Sequence, residues 1–592
     1  MNEGIEYMNL LKSWVDRLIS LQVKEAAESY FRGGIMCPAC AKIHGRCGDA
    51  VLPLMYMASV TREDKYIHAA KELFDWSERN IVRADDSYIN DSNNEWRGIT
   101  IFSVIALAET VELFADLLDG ETRRRWLERL AKSTECIYHL IDTLNPNVNY
   151  PISCAAALAI TGKIFNNSAY MEKARELAHS LLKYINEDGL IYGEGKPELL
   201  VTEKGCQAID IGYNVEESLP ALALYSRYAE DETILRATVR SLYAHLPFWI
   251  PDGGWNNSWG TRNAKWSYWG SRTSDGCQLA YGLLSDIDPV FGEIAYRNFK
   301  LMEACTSDGL LLGGPMYAGE GEPACVHHTF CHAKGLALML AKGYTPNGGL
   351  VLPLDDEVAC RSYENGNLVL VAMNGWKASV STTDYPYCPG SNSSGGCPTF
   401  LWHKAIGPVL AATMPHYSLH EPANMQIPKR YPFDCQSFRI VKDFCGTEQE
   451  CSSANDVRAT MFWGKDESGY HVHAKGKLSY LDGSRSDTEY RLSYLFNADK
   501  VVAEVRADAD AILKCPIVSD DDEFDFSEDV LFVRKRTGRS LRIRFSGGTP
   551  QWRTTETGCA ARAFNPVGGM RYLQLYVLLE ARKAITVEFA VE

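Results

Sequence analysis

The chain has 592 residues, 46% of them hydrophobic and 23% charged, which is the composition of a folded globular protein too long for a single hydrophobic core. A formal net charge of −16 argues against a nucleic-acid partner, which would call for a basic stripe, but permits an acidic substrate wherever Arg and Lys are concentrated locally. No stretch reads as a membrane span of about 18 apolar residues, so no membrane partner is expected.

The opening MNEGIEYMNLLKSWVDRL reads as an amphipathic helix without the basic-then-apolar pattern of a signal peptide. Its 18 cysteines are scattered rather than framed. As it stands the chain is therefore expected in the cytoplasm with reduced thiols, or in the periplasm or outside the cell if a leader has been removed. Next comes CPACAKIHGRCGDA, with Cys37, Cys40, His44 and Cys47 at C-x2-C-x3-H-x2-C spacing. Three thiolates and an imidazole suit tetrahedral zinc, although most structural zinc sites join two separated pairs. The favoured alternative places His44, Arg46 and Asp49 at a substrate-facing loop and leaves the cysteines as small packing residues. No cofactor is required by either reading; a structural divalent metal is the one candidate.

Helical spacing continues in KYIHAAKELFDWSERN, ITIFSVIALAETVELFADLL, ETRRRWLERLAKSTECIYHLI and SAYMEKARELAHSLLKYI, for roughly a dozen helices in all. The long connections 33–48, 84–97, 188–213, 251–275 and 306–326 are rich in Gly, Asn and Trp. Helical hairpins with their elaborate loops at one end predict an (α/α) toroid of about six hairpins over residues 1–345. After KGYTPNGGLVLPL the period changes to two, and NLVLVAMN, GYHVHAKGKLSYL, EYRLSYLFN, SLRIRFSG and AITVEFAVE predict an antiparallel β-sandwich over 346–592.

The loop GGWNNSWGTRNAKWSYWGSRTSDG holds Trp255, Trp259, Trp266 and Trp269 with Tyr268, Arg262, Asn263, Lys265 and Arg272. Aromatic faces suit the C–H faces of sugars and guanidinium forks suit carboxylates, so the loop is expected to form a sugar-binding wall with a carboxylate clamp at Arg262 and Arg272. The plain alternative is a packed plug of tryptophans. In PACVHHTFCHAKGLALML, His328 and His332 lie one helical turn apart without the Glu of H-E-x-x-H, which leaves His327 or His328 as a general base or carboxylate partner.

Three further stretches carry a resemblance. NPNVNYPISCAAALAI offers Asn149, with Asn147 second; NEDGLIYGEG followed by DIGYNVEESLPALALYSRY offers Tyr213; TFLWHKAIGPVLAATM offers His403. With the toroid-then-sandwich order, this resembles the heparinase II/III-like and related (α/α)-toroid polysaccharide lyases. The resemblance implies β-elimination at a uronate: Asn149 and Arg262 offset the carboxylate, Tyr213 acts as acid or base, and His328 or His403 is its partner. Tyr150 stands where members carry a His after the Asn. Read as plain structure, Asn149 would be an N-cap, Asn214 and Glu217 a capping box, and His403 a core histidine.

Two rival classes remain. A glycoside hydrolase removing glucuronate would use paired acids from Glu194, Glu216, Asp252, Asp275 and Glu320, with Glu194 otherwise a substrate-binding group. A non-catalytic glycan-binding protein would need fewer acids and bases. The reading adopted is a carbohydrate-active enzyme on a uronate-containing glycan, lyase before hydrolase. Its partner is an acidic oligo- or polysaccharide, and self-association is left open.

Overall fold

In this computed structural model the helices alternate in character, and that alternation builds the ring. The described residues are 4–25, 30–91, 94–195, 198–387, 390–414, 435–442, 450–520, 522–552 and 562–592. The helices run Ile5–Ser20 (α1), Val51–Thr61 (α2), Asp64–Asn80 (α3), Thr100–Phe114 (α4), Gly120–Leu140 (α5), Asn149–Ile164 (α6), Ser168–Ser180 (α7), Leu219–Ala229 (α8), Glu232–His245 (α9), Pro289–Ala304 (α10) and Val326–Ala341 (α11). α2, α4, α6 and α11 are buried along most of their length, whereas α3, α5, α7 and α9 bury one stripe and wet the other. A helix apolar all round belongs inside and an amphipathic one outside. The inner elements follow one another in space as α2, α4, α6, α8, the π turn Gln278–Gly282 and α11, and α11 packs back on α2. The helical unit is thus a closed (α/α) toroid.

α4 with its flanking turns, Arg97–Leu117, is long and apolar enough to cross a membrane by length and composition, contrary to the expectation from sequence. Here 89% of that window is buried inside the protein, as an inner helix of the ring requires.

The sheets of the second unit pair their strands antiparallel. Ala359–Tyr363, Leu368–Met373, Trp376–Ser381, Cys397–His403 and Gly407–Ala411 form a five-stranded meander beside sheets of eight and five strands. Inward residues of Arg485–Phe496 and Lys500–Ala507 alternate with outward ones. Val380, Leu401, Val472, Leu492, Val505, Leu513, Val577 and Val587, drawn from all three sheets, share one core. This is the β-sandwich.

The division between the units is not one cut. Met1–Pro197, Ile211–Leu246 and Trp269–Leu350 form the helical unit; Glu198–Asp210, Pro247–Tyr268 and Val351–Glu592 form the other. The two excursions are loops without helical periodicity. Their polar groups pair with strands of the sandwich: Asn256 Nδ2 donates to Ser379 Oγ at 2.9 Å and Lys377 Nζ to the Trp249 carbonyl at 3.3 Å. The tryptophan-rich loop is therefore shared out, 253–268 to the sandwich and 269–276 to the toroid.

Candidate functional site

A short 3-10 turn, Gly45–Ala50, leads into α2 and buries Arg46 and Asp49. Arg46 Nη2 lies 2.8 Å from Asp49 Oδ2 and 3.5 Å from Asp275 Oδ1, and Lys334 Nζ, from the middle of α11, lies 3.1 Å from Asp49 and 2.8 Å from Asp275. The Arg46 guanidinium also covers the Phe102 ring at 4.5 Å. Two cations and two carboxylates can share a dry interior only because each compensates the others. Burial alone would raise the Asp49 carboxyl, but Lys334 and Arg46 outweigh it and hold the group below the usual carboxylate range. Gly335 permits the approach: a Cβ there would sit 1.9 Å from the Asp275 carbonyl.

Beside this network the chain makes a π turn, Asn214–Ser218, between the helical turn Ile211–Tyr213 and α8. Its cause is Pro220, near the start of α8. Proline has no N–H to give the carbonyl four residues back, and the freed Glu216 carbonyl accepts the Asp275 N–H instead, at 3.1 Å. π turns of this kind gather at functional sites. Three side chains lie on the turn or next to it. The Tyr213 hydroxyl, one residue before it, lies 2.6 Å from Thr273 Oγ1, and the Thr273 carbonyl accepts from Arg46 Nη1 at 3.0 Å. Glu216 Oε2 accepts the Ser271 N–H at 2.7 Å and the Ser274 hydroxyl at 2.9 Å, with His332 Nε2 at 3.5 Å. Both carboxyl oxygens of Glu217 are buried without a hydrogen-bond partner. Burial, reinforced by Asp275, pushes its carboxyl well above the usual range although Arg46 and Lys334 pull the other way. Burial thus favours the protonated form of Glu217.

Asn149 opens α6, and its backbone N–H donates to Glu194 Oε1 at 2.9 Å. Its side chain makes no capping bond, and its Oδ1 is buried and unpartnered. An orphaned buried acceptor in a cluster of charges asks for a ligand or a functional explanation. Asn214 and Glu217 form no capping box either: Asn214 Nδ2 donates to the Ile191 carbonyl at 2.8 Å and faces His245 Nε2 at 3.0 Å. On α11, burial, with Arg272 and His332 adding to it, pushes the His328 imidazole down to about 3. His332 Nδ1 donates to the His328 carbonyl at 2.8 Å, and the His332 ring lies 4.4 Å from that of Trp269. Arg272 Nη2 reaches the Tyr317 hydroxyl at 3.4 Å. The toroid thus brings together Asn149, Glu194, Tyr213, Glu216, Glu217, Arg46, Arg272, Thr273 and His328. A phenol, a neutral imidazole, a buried amide oxygen and guanidinium groups are a set suited to moving protons beside a neutralised carboxylate.

Comparison with known proteins decides the class. Residues 11–348 match the family described as "Ulvan lyase N-terminal domain" and residues 360–592 that described as "Ulvan lyase C-terminal domain". The chain belongs to the ulvan lyase family. A broad-specificity ulvan lyase of Formosa agariphila (strain DSM 15362 / KCTC 12365 / LMG 23005 / KMM 3901 / M-2Alg 35-1) is 38% identical over 437 residues, spanning 72% of this chain and 68% of the relative. The chondroitin AC lyase of Streptomyces coelicolor A3 in complex with chondroitin sulphate is alike in fold alone: 11% identity, 99% of this chain and 82% of that one, TM-score 0.50. A mutant of that lyase gives a TM-score of 0.52 at 11% identity, over 99% of this chain and 79% of that one. This ulvan lyase family member is a polysaccharide lyase acting on an acidic glycan.

Four of the five acids offered for hydrolysis are otherwise engaged in this lyase. Glu194 holds the start of α6, Asp275 pairs with Lys334, and Glu216 holds the 271–274 backbone and hydroxyl. Asp252 Oδ2 accepts from the Tyr268 hydroxyl at 2.7 Å and Trp402 Nε1 at 3.0 Å. Glu320 ends a half-exposed 3-10 turn.

Several expectations are corrected. Trp255, Trp266 and Trp269 are fully buried and Trp259 nearly so, leaving no ring face for a sugar wall. Trp266 Nε1 donates to the Trp255 carbonyl, its ring packs on Gly568, and Trp259 lies against Phe248 and Gly366. The loop is a packed plug, and Tyr268 serves to bind Asp252. In the sandwich unit Arg262 is anchored through its backbone N–H to Asp210 Oδ2 at 2.7 Å, and Asn263 Nδ2 reaches the Ser258 carbonyl at 3.4 Å. His403 is half-buried against Trp376, with Nδ1 accepting the Ala405 N–H at 3.2 Å, and burial lowers its imidazole to about 4. His44 parts from Arg46: its Nδ1 lies 3.2 Å from Asp91, and its Nε2 faces Cys325 rather than the Arg46 network. Cys47 belongs to neither group.

Lys334, Thr273 and Cys325 were missed. A lysine inside the apolar run CHAKGLALML is the one signal that could have marked the first, since a buried ammonium demands a carboxylate. Nothing local marks Thr273, whose role comes from its fold partner.

Proposed function

We propose that the chain cleaves ulvan by β-elimination at a uronate, with Tyr213 as the group that exchanges the proton at the scissile bond. The observation that carries this reading is the Tyr213 hydroxyl, buried and oriented at 2.6 Å by Thr273, which Arg46 in turn holds from the other side. Elimination has fixed requirements. A base removes the C5 proton, the C4–C5 double bond forms as the C4–O bond breaks, and an acid returns a proton to the leaving oxygen. The C5 proton is too weakly acidic until the neighbouring carboxylate is offset. Arg272, beside Thr273 in the chain, and the Asn149 amide are the groups of the toroid suited to that offset. His328, kept neutral by burial and by Arg272, stands in the toroid as an uncharged imidazole across the physiological range. Ulvan as the glycan is supported by the matched family and by the Formosa agariphila relative.

The test is a parallel assay of ulvan digestion, following the ultraviolet absorbance of the unsaturated uronate together with new reducing ends. Both should rise in step, and Tyr213→Phe should slow both alike by about 10²–10⁴. Reducing ends without the absorbance would overturn elimination. Reaction on another uronate glycan but none on ulvan would overturn the substrate.

A further inference from the structure

The segment Met36–Ile43 folds as a tight turn closed by an antiparallel bridge between its ends. Inside it the Cys37 N–H donates to the Lys42 carbonyl at 2.9 Å, the Ala41 N–H to the Cys37 carbonyl at 2.9 Å, and the Cys40 N–H points at Cys37 Sγ at 3.4 Å. Ala41 takes the left-handed conformation, with φ 51°, which brings the chain back so that His44 faces the two cysteines. Cys325, the residue just before α11, completes the group from the far end of the toroid. Cys37, Cys40, His44 and Cys325 each offer one ligand atom, and these lie within 4.8 Å of one another.

The separations are specific. Cys37 Sγ and Cys325 Sγ are 3.8 Å apart, Cys40 Sγ and Cys325 Sγ 3.7 Å, and Cys325 Sγ and His44 Nε2 3.6 Å. A disulfide needs about 2.05 Å. A tetrahedral ion bonded to thiolates at about 2.3 Å sets sulfurs about 3.8 Å apart, and an imidazole nitrogen at about 2.0 Å then stands about 3.5 Å from each sulfur. The observed edges are those of that tetrahedron. The second shell agrees: His44 Nδ1 lies 3.2 Å from Asp91 Oδ1, which Lys42 Nζ also approaches at 3.3 Å. A carboxylate accepting a hydrogen bond from Nδ1–H fixes the tautomer that leaves the Nε2 lone pair free to ligate. All but Cys40 are buried.

We propose that Cys37, Cys40, His44 and Cys325 hold a structural zinc ion. Three thiolates and one imidazole with no open position are the ligand set of structural zinc rather than of a hydrolytic or redox centre. The ion would tie the first long loop to the entry of the last inner helix, across 288 residues of chain. It would do so two residues before Arg46 and three before His328, and so fix two walls of the site without touching substrate. Its role is positioning.

The experiment is elemental analysis of the full-length protein purified without chelator. About one zinc per chain is expected, released in step with titration of thiols by a mercurial. Cobalt exchanged into the protein should show the visible ligand-field bands of a tetrahedral site and thiolate-to-cobalt charge transfer. Cys325→Ser should lose the zinc and Cys47→Ser should keep it. Asp91→Asn should weaken zinc about 10–100-fold in competition with a chelator. If Cys325→Ser fails to fold, the mercurial titration of the unaltered protein still decides. Intact protein that carries no zinc, that carries iron instead, or that shows a disulfide among Cys37, Cys40 and Cys325 by mass would overturn the proposal.

Discussion

The Tyr213 hydroxyl lies 2.6 Å from Thr273 Oγ1, and the carbonyl of the same threonine accepts a hydrogen bond from Arg46. One residue therefore couples the phenol to a cation without placing the charge on the phenol itself. Tyr213→Phe removes only the oxygen, and activity on the glycan should fall by about 10²–10⁴ in kcat, the range for losing a general acid or base. Thr273→Val should keep the phenol but loosen it, giving a smaller loss. The melting temperature of Tyr213→Phe should move little, since one neutral hydrogen bond contributes about 1 kcal/mol. Equal losses of activity and stability would reduce Tyr213 to a packing residue.

Lys334 stands between Asp49 and Asp275 with Arg46 opposite. Lys334→Met leaves buried carboxylates under-compensated and should destabilise the toroid by about 3–5 kcal/mol, read by denaturant unfolding. The pH sign follows from Asp49, whose carboxyl is depressed in the fold. Its contribution is present above the unfolded value of 3.8 and is lost as pH falls through the lower folded value. In the variant that acid limb should move to higher pH.

How far the sequence disclosed this arrangement depended on whether the signal was local. The change of period after KGYTPNGGLVLPL is local, and so was the toroid-to-sandwich order. Tyr213 and Asn149 stood out as candidates because each precedes or opens a helical run, and both are buried in the toroid. The fate of Trp255, Trp266 and Trp269 was not, since whether an indole faces a sugar or a core depends on neighbours such as Phe400, Gly568 and His332 that are distant in the chain. Three members of the cysteine cluster were legible as C-x2-C-x3-H, and the fourth was not, because Cys325 is brought in by ring closure. Cys47 was the wrong fourth for the same reason: sequence proximity put it near, and the turn into α2 took it away.

The Glu217 carboxyl is pushed well above the usual carboxylate range by burial and by Asp275, against the pull of Arg46 and Lys334. Below 4.5 both folded and unfolded chains carry the proton; above it the unfolded chain releases the proton while the fold retains it. Stability attached to this group is thus lost as pH rises toward the folded value, by about 1.4 kcal/mol per pH unit for one proton. Glu217→Gln keeps the shape and removes that slope. Its melting temperature at pH 8 should equal or exceed that of the parent, while near pH 4 the two should converge. Activity should stay within about tenfold if, as its raised pKa favours, Glu217 keeps its proton and is not the base.

Gly270 lies tight against Glu216. A Cβ there would lie 1.9 Å from Glu216 Oε1 and 2.1 Å from its Cδ, so Gly270→Ala must displace the Glu216 carboxylate. That carboxylate holds the Ser271 N–H and the Ser274 hydroxyl, and Thr273 rides between them. Overpacking of this kind costs about 1–3 kcal/mol, and the shift should reach Tyr213 through Thr273 and lower kcat with little change in melting behaviour beyond that cost. A double-mutant cycle with Glu216→Ala checks the route. Truncating Glu216 removes the clash, so the stability losses should be less than additive by about 0.5–3 kcal/mol. The kcat loss of Gly270→Ala should shrink in the same background. Strict additivity would mean that Gly270 acts through another neighbour, and that Glu216 does not set the position of Thr273.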